Sequence, residues 1–333
     1  MKRFAILLWA AALAISIPLV LGFFGAAHPA FDAMAHFRAH LAVLLALAAV
    51  CLLAVRGQRM VGAVALALGI GAFATTLSTL PWTSDPALAD DDTAPEYRLL
   101  HLNLRYNNDR PERALSLIGR FQPDIVMLNE VSATWRPRIE ALRARYPYGI
   151  ICPAPTRIGG VAILSRRPTA VGTEPTCRDR GAFAAATINF GGTMLDVAAI
   201  HLGWPWPFGQ GWQIDTIAPI LAAMRQPALV AGDFNAAPWS HTVRRVAREG
   251  SLTIAGGIGP TWLHRDLPGV LRRWIGLPID HVMTKGDIRI ETPERGEWVG
   301  SDHLPVLVRF RFPPAEPASE PERQTVMAVP DAG

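Results

Sequence analysis

The hydrophobic positions of this chain follow two different rhythms. Up to Trp82 they form long apolar stretches: Phe4 to Ala27 without a charged residue, Leu41 to Val55, and Met60 to Trp82, again uncharged. A bilayer core takes about 20 apolar residues in a helix. The first and third stretches reach that length; the second does so only with Phe37, Ala39 and His40. The pattern predicts a bundle of about three transmembrane helices, with spans near 4–26, 37–55 and 60–82. A cleaved signal peptide ending near Ala26-Ala27 accounts for the first stretch but not for the two that follow. Lys2 and Arg3 precede the first stretch, and Arg56 and Arg59 separate the second from the third. The loop from His28 to His40 offers Arg38 alone, offset by Asp32. The positive-inside rule then puts the N-terminus in the cytoplasm and everything after Trp82 on the opposite face. The expected placement is a multi-pass protein of the inner membrane, its later residues on the periplasmic side. That orientation reverses if the second stretch does not span.

Beyond 83–95, an Asp-, Pro- and Ala-rich segment that reads as a linker, the rhythm shortens. Tyr97 to Leu104 reads as a strand, Pro111 to Phe121 as a helix with proline in its first turn, and Asp124 to Leu128 as a buried strand. A helical pattern follows around Trp135 to Tyr146. Gly160 to Ser165, Ala182 to Phe190 and Met194 to Leu202 read as strands, the last two joined by a hairpin at Gly191-Gly192. Trp212 to Met224 and His241 to Arg248 read as helices. Ala228 to Ala231, Ile279 to Met283, Ile288 to Glu291 and Leu304 to Phe312 complete the strands. So many strands with fewer helices imply sheets packed face to face with helices outside, in one domain over 96–312. The Pro- and Glu-rich end, 313–333, reads as a disordered tail.

Charge changes this picture little. Within 96–312 Lys and Arg outnumber Asp and Glu. That surplus suits an anionic substrate or a membrane surface, falls short of a nucleic-acid-binding stripe, and is equally ordinary solvated charge. Of the three cysteines, Cys51 lies in the second apolar stretch and Cys152 and Cys177 in the domain, with no zinc-site spacing. In an exported domain the last two can form a disulfide; two buried thiols are the plain alternative.

The placement of polar residues carries more. Asn103 ends the first strand; Glu130 follows the run from Asp124 to Asn129; His201 closes the run from Asp196 to Ile200. Asp233 and Asn235 follow Leu229 to Gly232, Asp280 follows Leu277 to Ile279, and Asp302-His303 precede the last strand. Strand ends of this kind converge on one rim of a sheet, and so many polar groups together are costly unless they bind a cation and an anion. Hydrolysis of a phosphoester needs such a set. Oxygen ligands such as Glu130 and Asp302 suit Mg2+ or Mn2+. His303 held by Asp280 can serve as the base. Asn103 and Asn235 can hold phosphate oxygens, and His201 can donate a hydrogen bond or protonate the leaving group. Singly, each has a bland reading: a structural histidine, a Gly-Asp-Phe-Asn turn, a helix-start Glu.

Six segments, Leu128 to Val131, Gly160 to Ser165, Ala199 to Leu202, Gly232 to Asn235, Ile279 to Val282 and Gly300 to Val306, resemble the motifs of the endonuclease/exonuclease/phosphatase superfamily, in its order, over about 97–312. The resemblance implies a four-layer α/β sandwich, two packed mixed β-sheets flanked by helices, and a divalent-metal phosphoesterase. It implies Glu130 as metal ligand, Asn103 supporting metal or phosphate, and Asp233 and Asn235 orienting the nucleophilic water and phosphate. Asp302 and His303 take the metal edge and general-base positions, with Asp280 orienting His303, and His201 is the second histidine of the deoxyribonuclease and sphingomyelinase-like branches. One position departs. Abasic-site endonucleases carry an acidic residue two positions after the first-strand Asn, where this chain has Arg105, which argues against that DNA-repair activity.

Substrate is left open between nucleic acid and a phospholipid head group, and oligomeric state is left open as well. The aromatic run from Trp204 to Trp212 follows His201; it can stack on a base, meet lipid, or pack its own loop. Leu267 to Leu277, with Arg272 and Arg273, reads as a lipid-facing or a covering loop. The alternative from another class is a catalytically inactive, membrane-tethered binding protein on the same fold. Retention of Glu130, Asp302 and His303 argues against it.

Overall fold

The computed structural model describes residues 2–77, 94–291 and 293–313. Four helices come first: α1 (Lys2–Leu21), α2 (Pro29–Ala35), α3 (Arg38–Ala54) and α4 (Arg59–Ala74). Small residues let α3 and α4 pack closely. At Gly69 a Cβ would stand 2.9 Å from the Ala42 carbonyl oxygen, so only glycine permits this approach. Leu45, Ala49 and Leu52 of α3 are buried in a cluster with Ala12, Leu19, Ala65 and Ala72.

These helices are shorter than the expected spans. Past Leu21 the bonds tighten to i→i−3, Phe23 N to Val20 O and Phe24 N to Leu21 O, and α1 unwinds. His28 then caps α2, with Pro29 in its first turn. A 65° bend separates α2 from α3. Among the described residues no single helix is long and apolar enough to cross a membrane; α2 and α3 reach that length and composition only as a bent pair. The expected bundle of about three transmembrane helices does not take that form. Apart from residues 94, 95 and 313, the expected linker and tail lie outside the described residues, as does the end of the third apolar stretch, 78–82.

The chain then builds two sheets. The first half contributes β1 (Tyr97–Asn103), α5 (Pro111–Phe121), β2 (Ile125–Val131), α6 (Arg136–Ala141), β3 (Tyr148–Ile151) and β4 (Gly160–Ser165). The second contributes β5 (Thr176–Arg178), β6 (Phe183–Phe190), β7 (Thr193–His201), α7 (Gln210–Ala223), β8 (Ala228–Asp233), α8 (His241–Gly250), β9 (Thr253–Ile254), α9 (Arg272–Ile275) and β10 (Asp280–Lys285). The chain returns to the first sheet with β11 (Arg289–Ile290), β12 (Glu294–Arg295) and β13 (Val306–Arg311). One sheet runs β11-β13-β1-β2-β4-β3, with β12 also on β13; the other runs β5-β6-β7-β8-β10-β9. Each is mixed: β1–β2 and β7–β8 are parallel, their other neighbours antiparallel.

Period-two alternation sorts the side chains into layers. Leu99, Met127, Ile163, Val197, Leu229 and Val308 meet between the sheets. The opposite face of the first sheet (Leu100, Leu102, Val126, Leu128) packs on Ala114, Leu117 and Ile118 of α5. The outer face of the second (Ala198, Val230) packs on Ile214, Ile217 and Leu221 of α7 and on Val243 and Val246 of α8. These are the four layers expected, two packed mixed sheets flanked by helices. Each buried Val, Leu, Ile or Met among them contributes roughly 1.5–3 kcal/mol, and strands buried on both faces explain the unbroken apolar runs.

Cys152, just after β3, is disulfide-bonded to Cys177 in β5, so the bridge staples an edge strand of one sheet to an edge strand of the other. Neither edge strand shows an alternation of its own in the sequence. The helix expected over Trp135 to Tyr146 shrinks to α6 and a 3-10 turn, Leu142–Ala144. The N-terminal helices rest on the second half of the domain: Trp239 Nε1 donates to Ala35 O at 2.7 Å.

Candidate active site

The topology brings the polar strand ends together. In the parallel pairs Asn103 of β1 lies opposite Asn129 of β2, and His201 of β7 opposite Asp233 of β8. β10 runs antiparallel, so its first residue, Asp280, also lies opposite Asp233. Asp302 and His303 arrive just before β13. Parallel strands thus deliver their C-terminal ends and antiparallel strands their N-terminal ends to one rim. Gly232 is required just before Asp233, because a Cβ there would lie 2.0 Å from the Ile200 carbonyl oxygen of the neighbouring strand.

Glu130 is turned into the site by a local irregularity. The pairing of β2 with β4 shifts between Leu128 and Val131, and Glu130 takes φ +60°. A non-glycine residue held in the left-handed region at a bulge is strained, and such strain collects at working sites. Its carboxylate accepts from Asn103 Nδ2 at 3.1 Å and from the Tyr106 backbone N–H at 2.7 Å.

Four side-chain nitrogens from four segments surround one oxygen, Asp233 Oδ2. Asn103 Nδ2 donates to it at 2.9 Å, and Asn235 Nδ2 stands 3.5 Å away. His303 Nε2 lies at 3.6 Å and His201 Nε2 at 3.8 Å. The other oxygen, Oδ1, accepts from Asn235 N at 2.8 Å, and Asn235 Nδ2 also donates to Leu202 O at 2.7 Å. Burial pushes the Asp233 carboxyl above its ordinary range, against the pull of His303.

Behind this layer lies a second carboxylate. Asp280 binds His303 Nδ1 at 2.8 Å through Oδ2 and His101 Nε2 at 3.0 Å through Oδ1. Burial opposes its charge, yet the two imidazoles hold the carboxyl well below the usual range. Burial likewise opposes charge on His303, but Asp280, Asp233 and Asp302 outweigh it and lift the imidazole to about 10. Asp302 sits to one side. Its Oδ2 accepts from Trp262 Nε1 at 3.3 Å, and its Oδ1 is 3.5 Å from Ser301 Oγ. Ser301 Oγ donates to Asn103 O at 2.7 Å and receives the His303 N–H at 3.0 Å.

All eight residues expected from the sequence lie on this rim. Sequence reasoning missed His101 and Ser301. His101 had a signal: it stands two residues before Asn103 on β1 and so faces the same side of the sheet. Ser301 had none beyond its neighbours. His281, next to Asp280, is elsewhere: it binds Ala236 O at 2.7 Å, and burial drops its pKa to about 4.

Residues 100–303 match the Endonuclease/Exonuclease/phosphatase family. The chain belongs to this family. Its members are hydrolases acting on phosphoester bonds. Solved structures of D. rerio TDP2 share the fold. The chain is 16% identical to humanized D. rerio TDP2 carrying 14 mutations, with a TM-score of 0.51, covering 65% of this chain and 99% of that one. It is 15% identical to D. rerio TDP2 complexed with single strand DNA product (TM-score 0.50; 65% and 99%). It is 20% identical to an endonuclease/exonuclease/phosphatase from Beutenbergia cavernae DSM 12333 (TM-score 0.49; 65% and 71%). At these identities the likeness concerns the fold alone. No curated protein sequence matches the chain.

The donor chemistry fits the hard cation expected of such a hydrolase. Glu130 and Asp302 offer carboxylate oxygens at the open edge, and no thiolate stands among the described site residues, which suits Mg2+ or Mn2+ better than zinc. Asp233, Asp280 and His303 also place ligand atoms within 4.8 Å of one another. Within that trio Asp280 bonds the imidazoles of His303 and His101, and His303 Nε2 stands 3.6 Å from Asp233 Oδ2.

Proposed function

We propose that this chain is a divalent-metal-dependent phosphoesterase of the phosphodiesterase or nuclease type, in which an activated water attacks phosphorus. The observation that carries this reading is the set of four nitrogens, from Asn103, His201, Asn235 and His303, gathered within 3.8 Å of Asp233 Oδ2. Donors so arranged can hold phosphate oxygens and one attacking water at once. A divalent cation held by Glu130 and Asp302 would supply charge neutralisation on the phosphate.

The chain's own residues then divide the work. Asp233 and Asn235 orient the water and one phosphate oxygen. Asp280 fixes the His303 tautomer so that Nε2 faces the reacting centre, where it takes the proton of the attacking water. His201 donates to the phosphate and stands ready to protonate the departing oxygen, while Asn103, which donates to both Glu130 and Asp233, holds those two carboxylates in register. A binding protein on the same fold would have no need of the Asp280–His303 pair.

In this proposal the N-terminal helices are also held in a bilayer, with the domain on the periplasmic face. Two features support it. Large apolar side chains on α1, α3 and α4 lie open, among them Leu7, Ile17, Leu47, Val64 and Ile70. The Cys152–Cys177 bridge suits an oxidising compartment.

The test is release of product from a panel of phosphomonoesters and diesters with Mg2+, with Mn2+ and with excess chelator. Hydrolysis that needs the cation supports the reading; full turnover in chelator, or none on any ester, sinks it.

A further inference from the structure

A groove of about 1430 Å3 is lined in part by Ser301 and Asp302. Its walls come from the loop after β1, the segment from Gly257 to Arg273, and the segment from Pro293 to Leu304. Six arginines line it, against four carboxylates, one of which is Asp302 itself. Of the six, Arg265 is paired, with Asp266 at 3.4 Å. No ion pair with a carboxylate joins Arg105, Arg110, Arg272, Arg273 or Arg295 among the described residues. Arg272 is buried and holds the Thr261 and Asp302 carbonyls in place. The remaining four face the groove without an acidic partner. Guanidinium groups repel one another, and a groove that gathers more of them than carboxylates, four of them facing it outside any ion pair, has room for an anion.

Arg105 ties the groove to the chemistry. It is held at φ +58°, its N–H bonded to Asn103 Oδ1 at 2.9 Å and its carbonyl accepting from Trp135 Nε1 at 2.9 Å. Asn103 is the residue that touches both Glu130 and Asp233, so Arg105 stands two residues from the amide that joins those two carboxylates. Further along, Arg110 and Arg113 lie over the exposed ring of Trp298, at 5.8 and 5.1 Å. A cation–π contact of this kind fixes guanidinium groups in position while leaving their edges free to donate.

Resting on the phosphoesterase reading above, we propose that this groove binds a second phosphate of the substrate, beyond the one being cut, with Arg105 and Arg110 as its ligands. The substrate is therefore a phosphoester carrying at least two phosphates, and a zwitterionic head group with a single phosphate is disfavoured. Two sources can bring that second phosphate: the next nucleotide of a single strand, or a phosphorylated lipid head group.

The experiment compares the full-length protein in detergent with R105Q/R110Q, checked for an unchanged melting temperature. Three substrates are used with Mg2+: bis(p-nitrophenyl) phosphate, which has one phosphate, a single-stranded oligonucleotide, and vesicles carrying a lipid with a bisphosphorylated head group. Binding of a fluorescent oligonucleotide and of the vesicles is measured in parallel in chelator, where nothing is turned over. The specificity ratio of oligonucleotide, or of vesicle lipid, to bis(p-nitrophenyl) phosphate falls at least tenfold in the variant, and the substrate whose ratio falls is the source. The salt dependence of its binding weakens by roughly one unit of slope. Ratios and binding that are the same in both proteins overturn the proposal, as does an equal loss on all three substrates. Should the wild type hydrolyse nothing, the phosphoesterase reading fails, while binding in chelator that is lost in R105Q/R110Q still upholds the groove as a phosphate site.

Discussion

The backbone N–H of Thr242 donates to Asp32 Oδ2 at 2.9 Å, a bond that crosses 210 residues of chain. The other oxygen of Asp32 takes the His241 N–H at 2.6 Å, so a buried carboxylate from α2 caps the first turn of α8. From there a relay runs to the active site. Thr242 Oγ1 donates to Gln210 Oε1 at 2.6 Å, and Gln210 Nε2 donates to Phe234 O at 3.0 Å and to Gly203 O. Phe234 lies between Asp233 and Asn235, and Gly203 lies two residues after His201. Asp32→Ala is expected to cost about 1–3 kcal/mol, two charge-assisted bonds at a buried helix start. Turnover should fall with it, because Asn235 and His201 lose their backing, and Asp32→Asn should recover part of both. Melting temperature and kcat on the same samples check this; a destabilised variant with unchanged kcat would show that the relay ends at α8.

The disulfide gives a second expectation. Unreduced, denatured protein should titrate one thiol, Cys51, since Cys152 and Cys177 are joined. Replacing both by alanine opens the link between the two sheets and is expected to cost about 2–4 kcal/mol for a loop of this length. Thiol titration and denaturant unfolding of the double variant read out the two halves. Three reactive thiols in unreduced protein would overturn the bridge.

Much of this was legible in the sequence where one rule dominated. Leu99, Leu100 and Leu102 of β1 and Leu229 to Ala231 of β8 are buried on both faces, so their strands stood out as apolar stretches, broken in β1 only by His101, and each led to a polar residue the site uses. The rest depended on distant partners. β3 and β5 are too short and too near an edge to show a period, and the disulfide fixes where they lie. The helix around Trp135 to Tyr146 showed the right period, but tertiary packing of Trp135 and Tyr146 left only α6 regular. Asp32 read as a stray loop charge because its partners, His241 and Thr242, stand more than two hundred residues away. The long apolar stretches were visible, but not where they break: Gly22 and Gly25 mark the turn after Leu21 inside an otherwise apolar run, and the bend before Arg38 has no Gly or Pro of its own.

His101 supplies an expectation that no single motif suggested. It fills one oxygen of Asp280 while His303 fills the other, so it fixes the plane in which that carboxylate holds the catalytic imidazole. His101→Phe keeps ring volume in a fully buried position and removes the hydrogen bond. The expected result is a loss of about 10–100-fold in kcat with KM nearly unchanged, as for other residues that orient a functional group without touching substrate. A rise in KM with kcat intact would place His101 at the substrate instead.

The last expectation concerns the proton on His303. Asp280, Asp233 and Asp302 lift its pKa to about 10 despite burial, so in chelator the ring is a cation at neutral pH. The sign for stability follows. A folded value above the ordinary 6.5 or so stabilises the fold fully below that pH, and the contribution is lost as pH rises from there through about 10. Chelated wild type should therefore lose stability over this window, and His303→Gln should show a flatter profile. For catalysis the same charge is an obstacle, because a base must be neutral. A cation beside Asp302 lowers the imidazole pKa by like-charge repulsion. The acid limb of the rate should accordingly move to lower pH as Mg2+ is raised, and His303→Ala should lose several orders of magnitude in turnover while remaining folded. NMR of the His303 ring gives the direct reading: protonated at pH 8 in chelator, with its midpoint moving down on addition of Mg2+. A midpoint near 6.5 in chelator, unmoved by the metal, would remove the carboxylates from any role in tuning this base.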